Sequence, residues 1–364
     1  AVRAHPVVVA SLTSLALVAL AASAWGLRVT PASETAIPGS LPSARALSLV
    51  RDTVGTGVAT PIDVVIDTGR AHGARLVAQR AARRRLATLV LADPEAFVVA
   101  IGVKSPFVDA TGRYEQVIVI ARHDLGDPAT QALVRHIRSA LVARAHFPVG
   151  TTVDVGGAPS QGVDFLGALY GSFGWIVAAA LVLAFLVLAR AFRSLTLGAL
   201  AVVFDVVSVG AAYGVIVAVF RFGVGSSLLH TYHVGQIEGW VPVFVFAMLF
   251  GLSSDYEVFI VARVREARDR GLATPDAIAE GIATTGGVVS AAALIMVGAL
   301  SGLVAGHVAG LQELGVGVAA GVLIDATLVR GLLLPSVMTL LGERCWWSGR
   351  GLTRSRHAEA PPLK

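Results

Sequence analysis

Six long apolar stretches constrain this chain of 364 residues more than any other feature of it. They lie near positions 7–27, 168–189, 196–219, 239–261, 282–304 and 312–341. Each reaches the roughly 20 residues that a helix needs to cross a hydrocarbon core. Inside lipid a backbone must satisfy its own polar groups, so stretches of this kind read as helices. The rest of the composition agrees: 55% of residues are hydrophobic, 15% are charged and the mean hydropathy is +0.74, which excludes an ordinary soluble globule. The expected fold class is an α-helical membrane protein with six transmembrane helices.

The first stretch follows Arg3 and ends near Ala21-Ala22-Ser23-Ala24, which resembles a signal-peptidase site. Its apolar length exceeds the roughly 7–15 residues of a secretory signal, so a retained anchor is expected. The chain does not begin with Met, and its natural start is expected upstream.

Arginines set the orientation. Arg190 and Arg193 fall between the second and third stretches, Arg263, Arg265, Arg268 and Arg270 follow the fourth, and Arg344, Arg350, Arg354, Arg356 and Lys364 follow the sixth. The opposite short loops carry only Arg221. By the positive-inside rule both termini are expected in the cytoplasm and the long 28–165 segment outside. Trp25, Trp240, Trp346 and Trp347 stand near the ends of apolar stretches, as interfacial aromatics do. The expected division is a first transmembrane helix over 1–27, an external domain over 28–165, a five-helix bundle over 166–342 and a basic tail over 343–364. The sequence pI of 9.9 then reflects topology and anionic membrane lipids, not nucleic acid, for which there is no motif. Cys345 is the single cysteine, so no internal disulfide forms.

Residues 28–165 change character, with prolines at 31, 38, 42 and 61 and the sequence Gly156-Gly157-Ala158-Pro159 at the exit. Strands are expected at 62–66, 97–103, 116–120 and 151–155, helices at 71–86 and 129–145, and an extra helix at 43–54. That order, β-α-β-β-α-β, is the split βαβ or ferredoxin-like arrangement, an α+β domain whose sheet buries one face under two helices. Arg80, Arg83, Arg84 and Arg85 on the first of these helices read as a solvated face, or as a place for anionic headgroups. Asp63, Asp67, His72 and His123 are too scattered for a metal site, and His230 with His233 lacks a third ligand. No nucleotide-binding loop and no catalytic triad spacing occurs, so neither a cofactor nor an enzymatic activity is expected.

The polar residues inside the apolar stretches carry the functional reading. A carboxylate at a helix centre costs roughly 2.5–3.5 kcal/mol on insertion scales, and such a residue is by default an ion or proton site facing other helices. Asp255 sits in Gly251-Leu252-Ser253-Ser254-Asp255-Tyr256-Glu257, on one helix face with Gly251 and Ala247, small residues that let another helix approach. Tyr256, about 100° away, offers a phenol that donates to the anion and accepts from the acid. The structural alternative is an Asp that only joins helices. Glu313, Gly317, Gly321 and Asp325 recur every four residues down the last stretch, a face expected to meet protein. Asp325 with Arg330 reads equally as a structural ion pair or a relay member. Asp205, on a stretch with Gly210 and Gly214, and Glu313 are further intramembrane candidates. Glu257 is expected to be a local anchor for Arg263 or Arg265.

Gly251 to Phe259 followed by Arg263-Val264-Arg265-Glu266 resembles the MmpL family of the resistance-nodulation-division superfamily. So do Phe192-Arg193-Ser194-Leu195, Ser290 to Met296, Leu323 to Arg330 and Leu341 to Trp347. The resemblance covers essentially the whole chain and looks most like the C-terminal of two repeats. It implies proton-driven export of lipids or other hydrophobic or amphipathic molecules across the inner membrane through a porter-type external domain. It further implies that Asp255 and Tyr256 are half of a proton relay. The other half would come from a missing N-terminal repeat or from a second copy of the chain. A neutral amide is expected where Asp205 stands. A scaffold for lipid-assembly machinery, recruiting partners through the basic tail, is the alternative.

Overall fold

The computed structural model describes residues 4–31, 42–233 and 235–346, apart from the side chains of Val54, Ser254, Asp255 and Tyr256. Six of its helical runs are long and apolar enough to cross a membrane, and the chain is an α-helical, multi-pass membrane protein. The last residues of the expected basic tail, from Trp347 onward, lie outside the described residues, as does Pro38.

Helix α1 (Pro6–Ser23) opens on a proline, whose missing N–H falls where a helix has no internal acceptor. Strand β1 (Val29–Thr30) and helix α2 (Pro42–Val54) then lead into a four-stranded sheet. In chain order its elements are β2 (Ile62–Asp67), α3 (Val77–Leu91), β3 (Ala96–Ala100), β4 (Tyr114–Ala121), α4 (Pro128–His136) with α5 (Val142–Arg144), and β5 (Thr152–Gly157). A π turn over Ile137–Leu141 joins α4 to α5. The strands lie in the order β3-β4-β2-β5, and every neighbouring pair is antiparallel.

One face of this sheet is a core because the apolar residues recur with period two. Ile62, Val64 and Ile66 are wholly buried, and Val117 and Val119 lie beside them on β4. Leu86 and Val90 of α3 cover them, with Leu133 of α4 and Ile137 and Leu141 of the π turn. Asp127 caps α4, its carboxylate accepting from the Ala129 N–H at 2.8 Å, and Pro128 follows at the first helical position.

The strands fall within a few residues of their expected places. The helix expected at 71–86 instead begins at Val77 and runs to Leu91. His72 takes a left-handed backbone (φ 61°), Leu76 is extended, and the Thr68 hydroxyl donates to the carbonyls of Arg70 and Arg113. A turn therefore occupies the segment that helix propensity alone would have filled.

Strand β5 runs directly into α6 (Ala158–Gly171), with Gly157 at φ 86° making the corner. One residue later α7 (Phe173–Phe192) begins, and 158–192 forms a span-capable run of 35 residues. At 1.5 Å per residue that is about 52 Å, well beyond the hydrocarbon thickness of roughly 30 Å. Its first turns belong to the sheet domain, where Arg138 holds Asp164 at 2.5 Å. The expected stretch at 168–189 is thus the far part of a longer helical run.

The bundle continues with α8 (Leu195–Ile216), the short α9 (Ser226–Leu229), strand β6 (Ile237–Glu238), α10 (Trp240–Asp269), α11 (Thr274–Val304) and α12 (Ala309–Ile324). A π-helical segment, Asp325–Leu333, joins α12 to α13 (Leu334–Leu341). Helices α8, α10 and α12 pack against one another. The apolar windows of the third and sixth spans are 56% buried, against 6% for the second and 11% for the fifth, so α8 and α12 are central and α7 and α11 peripheral. The four-residue stripe of α12 does face protein: Gly317 lies against Ile216 and Val245, and Gly321 against Leu249. Gly210 and Gly214 of α8 face α1 at Ala21 and Leu20.

Two distinct ends result. At one, Ser194 caps α8 by accepting from the Leu197 N–H and donates to the Cys345 carbonyl. There Arg265 meets the Phe192 carbonyl, Arg268 meets Glu343 and Arg270 meets Glu280. At the other, β1 pairs in parallel with β6, and Arg221 donates to the Gly26 carbonyl.

Candidate functional site

Five polar side chains from three helical runs close a circuit in the middle of the bundle. Asp205 and Ser208 lie three residues apart on α8, and so on one face of it. Ser253 of α10 donates its hydroxyl to Asp205 Oδ1. Arg330 Nη2 donates to the Ser253 carbonyl, and to its Oγ at 2.8 Å. Arg330 Nε donates to Asp325 Oδ2 at 2.6 Å, and the Ser208 hydroxyl reaches Asp325 Oδ1 at 3.3 Å. Asp205, Ser208, Ser253, Asp325 and Arg330 are all at least nine-tenths buried.

Backbone geometry makes the Asp325–Arg330 pair. On an α-helix residues five apart diverge by about 140°. The π segment over Asp325–Leu333 closes i→i+5 bonds instead and brings both side chains to one side. A π bulge in a membrane helix also widens it locally, and here a void of about 10 Å³ lies between Asp205, Ser208, Leu249, Ser253, Gly321 and Asp325. That is room for about one water.

Glu257, one turn beyond Ser253 on α10, is 3% exposed and within electrostatic reach of Arg330, Asp205 and Asp325. Its expected partners are engaged elsewhere: Arg263 pairs with Glu266 at 2.7 Å, and Arg265 with Asp269 and the Phe192 carbonyl. Glu257 is therefore a member of the buried cluster and not an interfacial anchor. Among the described residues the cluster sets three carboxyls against one guanidinium.

The remaining candidates lie elsewhere. Glu313 is fully buried near the sheet-domain end, where its Oε2 accepts from the Glu238 N–H at 2.9 Å. Twelve residues, about 18 Å of helix, separate it from Asp325. His233 faces the Arg221 carbonyl at 2.9 Å. The backbone of α10 runs through Asp255 and Tyr256, but their side chains lie outside the described residues.

Ser208, Ser253 and Glu257 were the residues that reading the sequence did not join to the site. Spacing held part of the signal: Asp205 and Ser208 at i,i+3, and Ser253 and Glu257 at i,i+4, each share a helix face.

The model of the MMPL family matches residues 36–360, a segment that takes in the sheet, the bundle and the whole circuit. This chain belongs to the MMPL family. It is 37% identical over 207 residues to the trehalose monomycolate exporter MmpL3 of Mycobacterium tuberculosis, covering 57% of this chain and 22% of that protein. It is 31% identical over 254 residues to the mycolic acid-containing lipids exporter MmpL11 of Mycolicibacterium smegmatis, covering 70% of this chain and 26% of that protein. A third relative, the heme uptake protein MmpL11 of Mycobacterium tuberculosis, is 36% identical over 204 residues, 55% of this chain and 21% of the relative. The matches span about a quarter or less of these relatives' length.

Proposed function

We propose that this MMPL chain acts as one repeat of a proton-driven exporter of lipids or other hydrophobic molecules across the inner membrane. Asp255 and Tyr256 take up and pass on the proton. The circuit of Asp205, Ser253, Arg330, Asp325 and Ser208 links the helices whose packing responds. That circuit, with Glu257 beside it, carries the reading: among the described residues three carboxyls beside one guanidinium, with space for a single water, are a costly arrangement for a membrane interior and suit a site that changes charge. One proton crossing 100 mV supplies roughly 2.3 kcal/mol.

In this reading the basic end faces the cytoplasm with both termini, and the four-stranded domain is a ferredoxin-like porter domain outside. Two relatives are named as exporters of mycolic-acid lipids, which favours membrane lipids as cargo. An apolar cavity of about 720 Å³ between α8, α11 and α12 has the size and lining that acyl chains need. On α10, Ala247 and Gly251 are exposed, and a methyl group at 251 would meet nothing within 4 Å. That open face suits the equivalent helix of a second repeat or of a second copy.

The test is proton flux and lipid movement in proteoliposomes that hold the chain with its partner repeat. Asp255→Asn is expected to lose acid-driven transport by at least tenfold while still folding. Wild-type flux in Asp255→Asn would sink the proposal.

A further inference from the structure

The sheet domain holds a cavity of about 680 Å³ that the proton reading does not use. It opens where β4 runs on past the end of β3, between the start of α3 and the loop over 103–110. Three cations line it, Arg75, Arg80 and Lys104, all exposed, and no ion pair among the described residues engages them. Beneath them lies Arg83, 2% exposed, which pairs with Glu115 through Nη1 while its buried Nε has no hydrogen-bond partner among the described residues. The other acid on the wall, Asp109, is occupied by its own turn, accepting from the Thr111 and Tyr114 N–H groups at 3.0 and 2.8 Å. Four cations against two anions leave the lining with a net charge of +2.

Much of the remaining wall is apolar and open. Val103 is 64% exposed, Val65 is 41% exposed, and Phe107 lies beside them. Exposed apolar side chains in the same cavity as guanidinium and ammonium groups are the two halves of one recognition surface: the cations fix an anion and the walls take the chain attached to it.

We propose that this cavity binds amphiphiles with an anionic head, a phosphate or a carboxylate, the head on Arg75, Arg80 and Lys104 and the tail along Val103 and Phe107. The site stands on the geometry of the sheet domain and does not depend on proton coupling in the bundle.

Calorimetric titration of the full chain in phosphatidylcholine nanodiscs, with empty nanodiscs subtracted, tests it with three probes: hexyl phosphate, hexyl glucoside and inorganic phosphate. Hexyl phosphate is expected to bind at one saturable site, and Arg75→Gln with Arg80→Gln to weaken it by about tenfold or more. Phe107→Ala is expected to weaken hexyl phosphate and leave inorganic phosphate unchanged. Lys104→Glu, on an exposed loop, replaces the double variant if that one does not fold. The proposal is overturned if these charge variants bind like the wild type, if hexyl glucoside competes, or if inorganic phosphate binds as tightly as hexyl phosphate.

Discussion

Arg330 is the one described cation in the buried circuit, and three carboxyls face it. Removing one partner of a buried ion pair is far more damaging than replacing both, because a lone buried charge keeps its desolvation cost and loses its compensation. Arg330→Met is therefore expected to lower stability by about 3–5 kcal/mol, and adding Asp325→Asn to recover a large part of that loss. Thermal unfolding of the two variants in mild detergent measures the difference, and an unchanged melting point for Arg330→Met would contradict the assignment. In the sheet domain the sensitive residue is His123, whose Nδ1 lies 2.8 Å from Glu95. That hydrogen bond, with the nearby charge, raises the His123 pKa above its ordinary value. The folded state thus favours the imidazolium, so the stabilisation is complete below about pH 6.5 and fades as pH climbs through the raised value. The side chain is 56% exposed, and screening keeps the effect below about 1 kcal/mol. A melting comparison of wild type with His123→Gln should show a gap at about pH 5.5 that closes by about pH 9.

Helices α1 and α8 approach each other across two glycines that are four residues apart and far from equivalent. A methyl group at Gly214 would strike the backbone carbonyl of Leu20, whereas at Gly210 it would touch the Ala21 side chain at an ordinary 3.4 Å. Backbone yields only if the whole helix moves. Gly214→Ala is expected to cost about 1–3 kcal/mol and Gly210→Ala close to nothing, read as the shift in thermal unfolding of the purified chain. Elements such as these were largely legible beforehand. Apolar length located the six spans, and the alternation of Ile62, Val64 and Ile66 located the central strand and its buried face. The π segment was not legible, because α-helical spacing puts Asp325 and Arg330 on different sides and nothing in the pattern announces an i→i+5 turn. The start of α3 was missed for a related reason. Tertiary ties from Thr68 to the carbonyls of Arg70 and Arg113 hold the segment before Val77 in a turn, although the expected helix begins at 71.

At the scale of the molecule, the junction between domain and membrane is helical. Gly156-Gly157-Ala158-Pro159 marks the exit, and there Gly157 makes a single corner, Pro159 falls in the first turn of α6, and helix continues with one residue's break to Phe192. A helical connection transmits rotation and displacement, whereas a coil absorbs them. Inserting Gly-Ser-Gly-Ser after Ser172 replaces that connection with a segment whose ends wander over about 10–12 Å. The sheet domain keeps its own core and the bundle its own circuit, so both are expected to stay folded and to melt as before. On the proposed function, proton flux and lipid movement, measured together in proteoliposomes with the proposed partner repeat, are expected to come apart, with flux retained and lipid movement reduced at least tenfold. Four alanines at the same place keep the helix and turn it by about 40°, which separates loss of stiffness from simple misalignment. Lipid movement that survives the Gly-Ser insertion would show that this helix is not the mechanical link, and that coupling runs instead through the β1–β6 pair at the same end of the bundle.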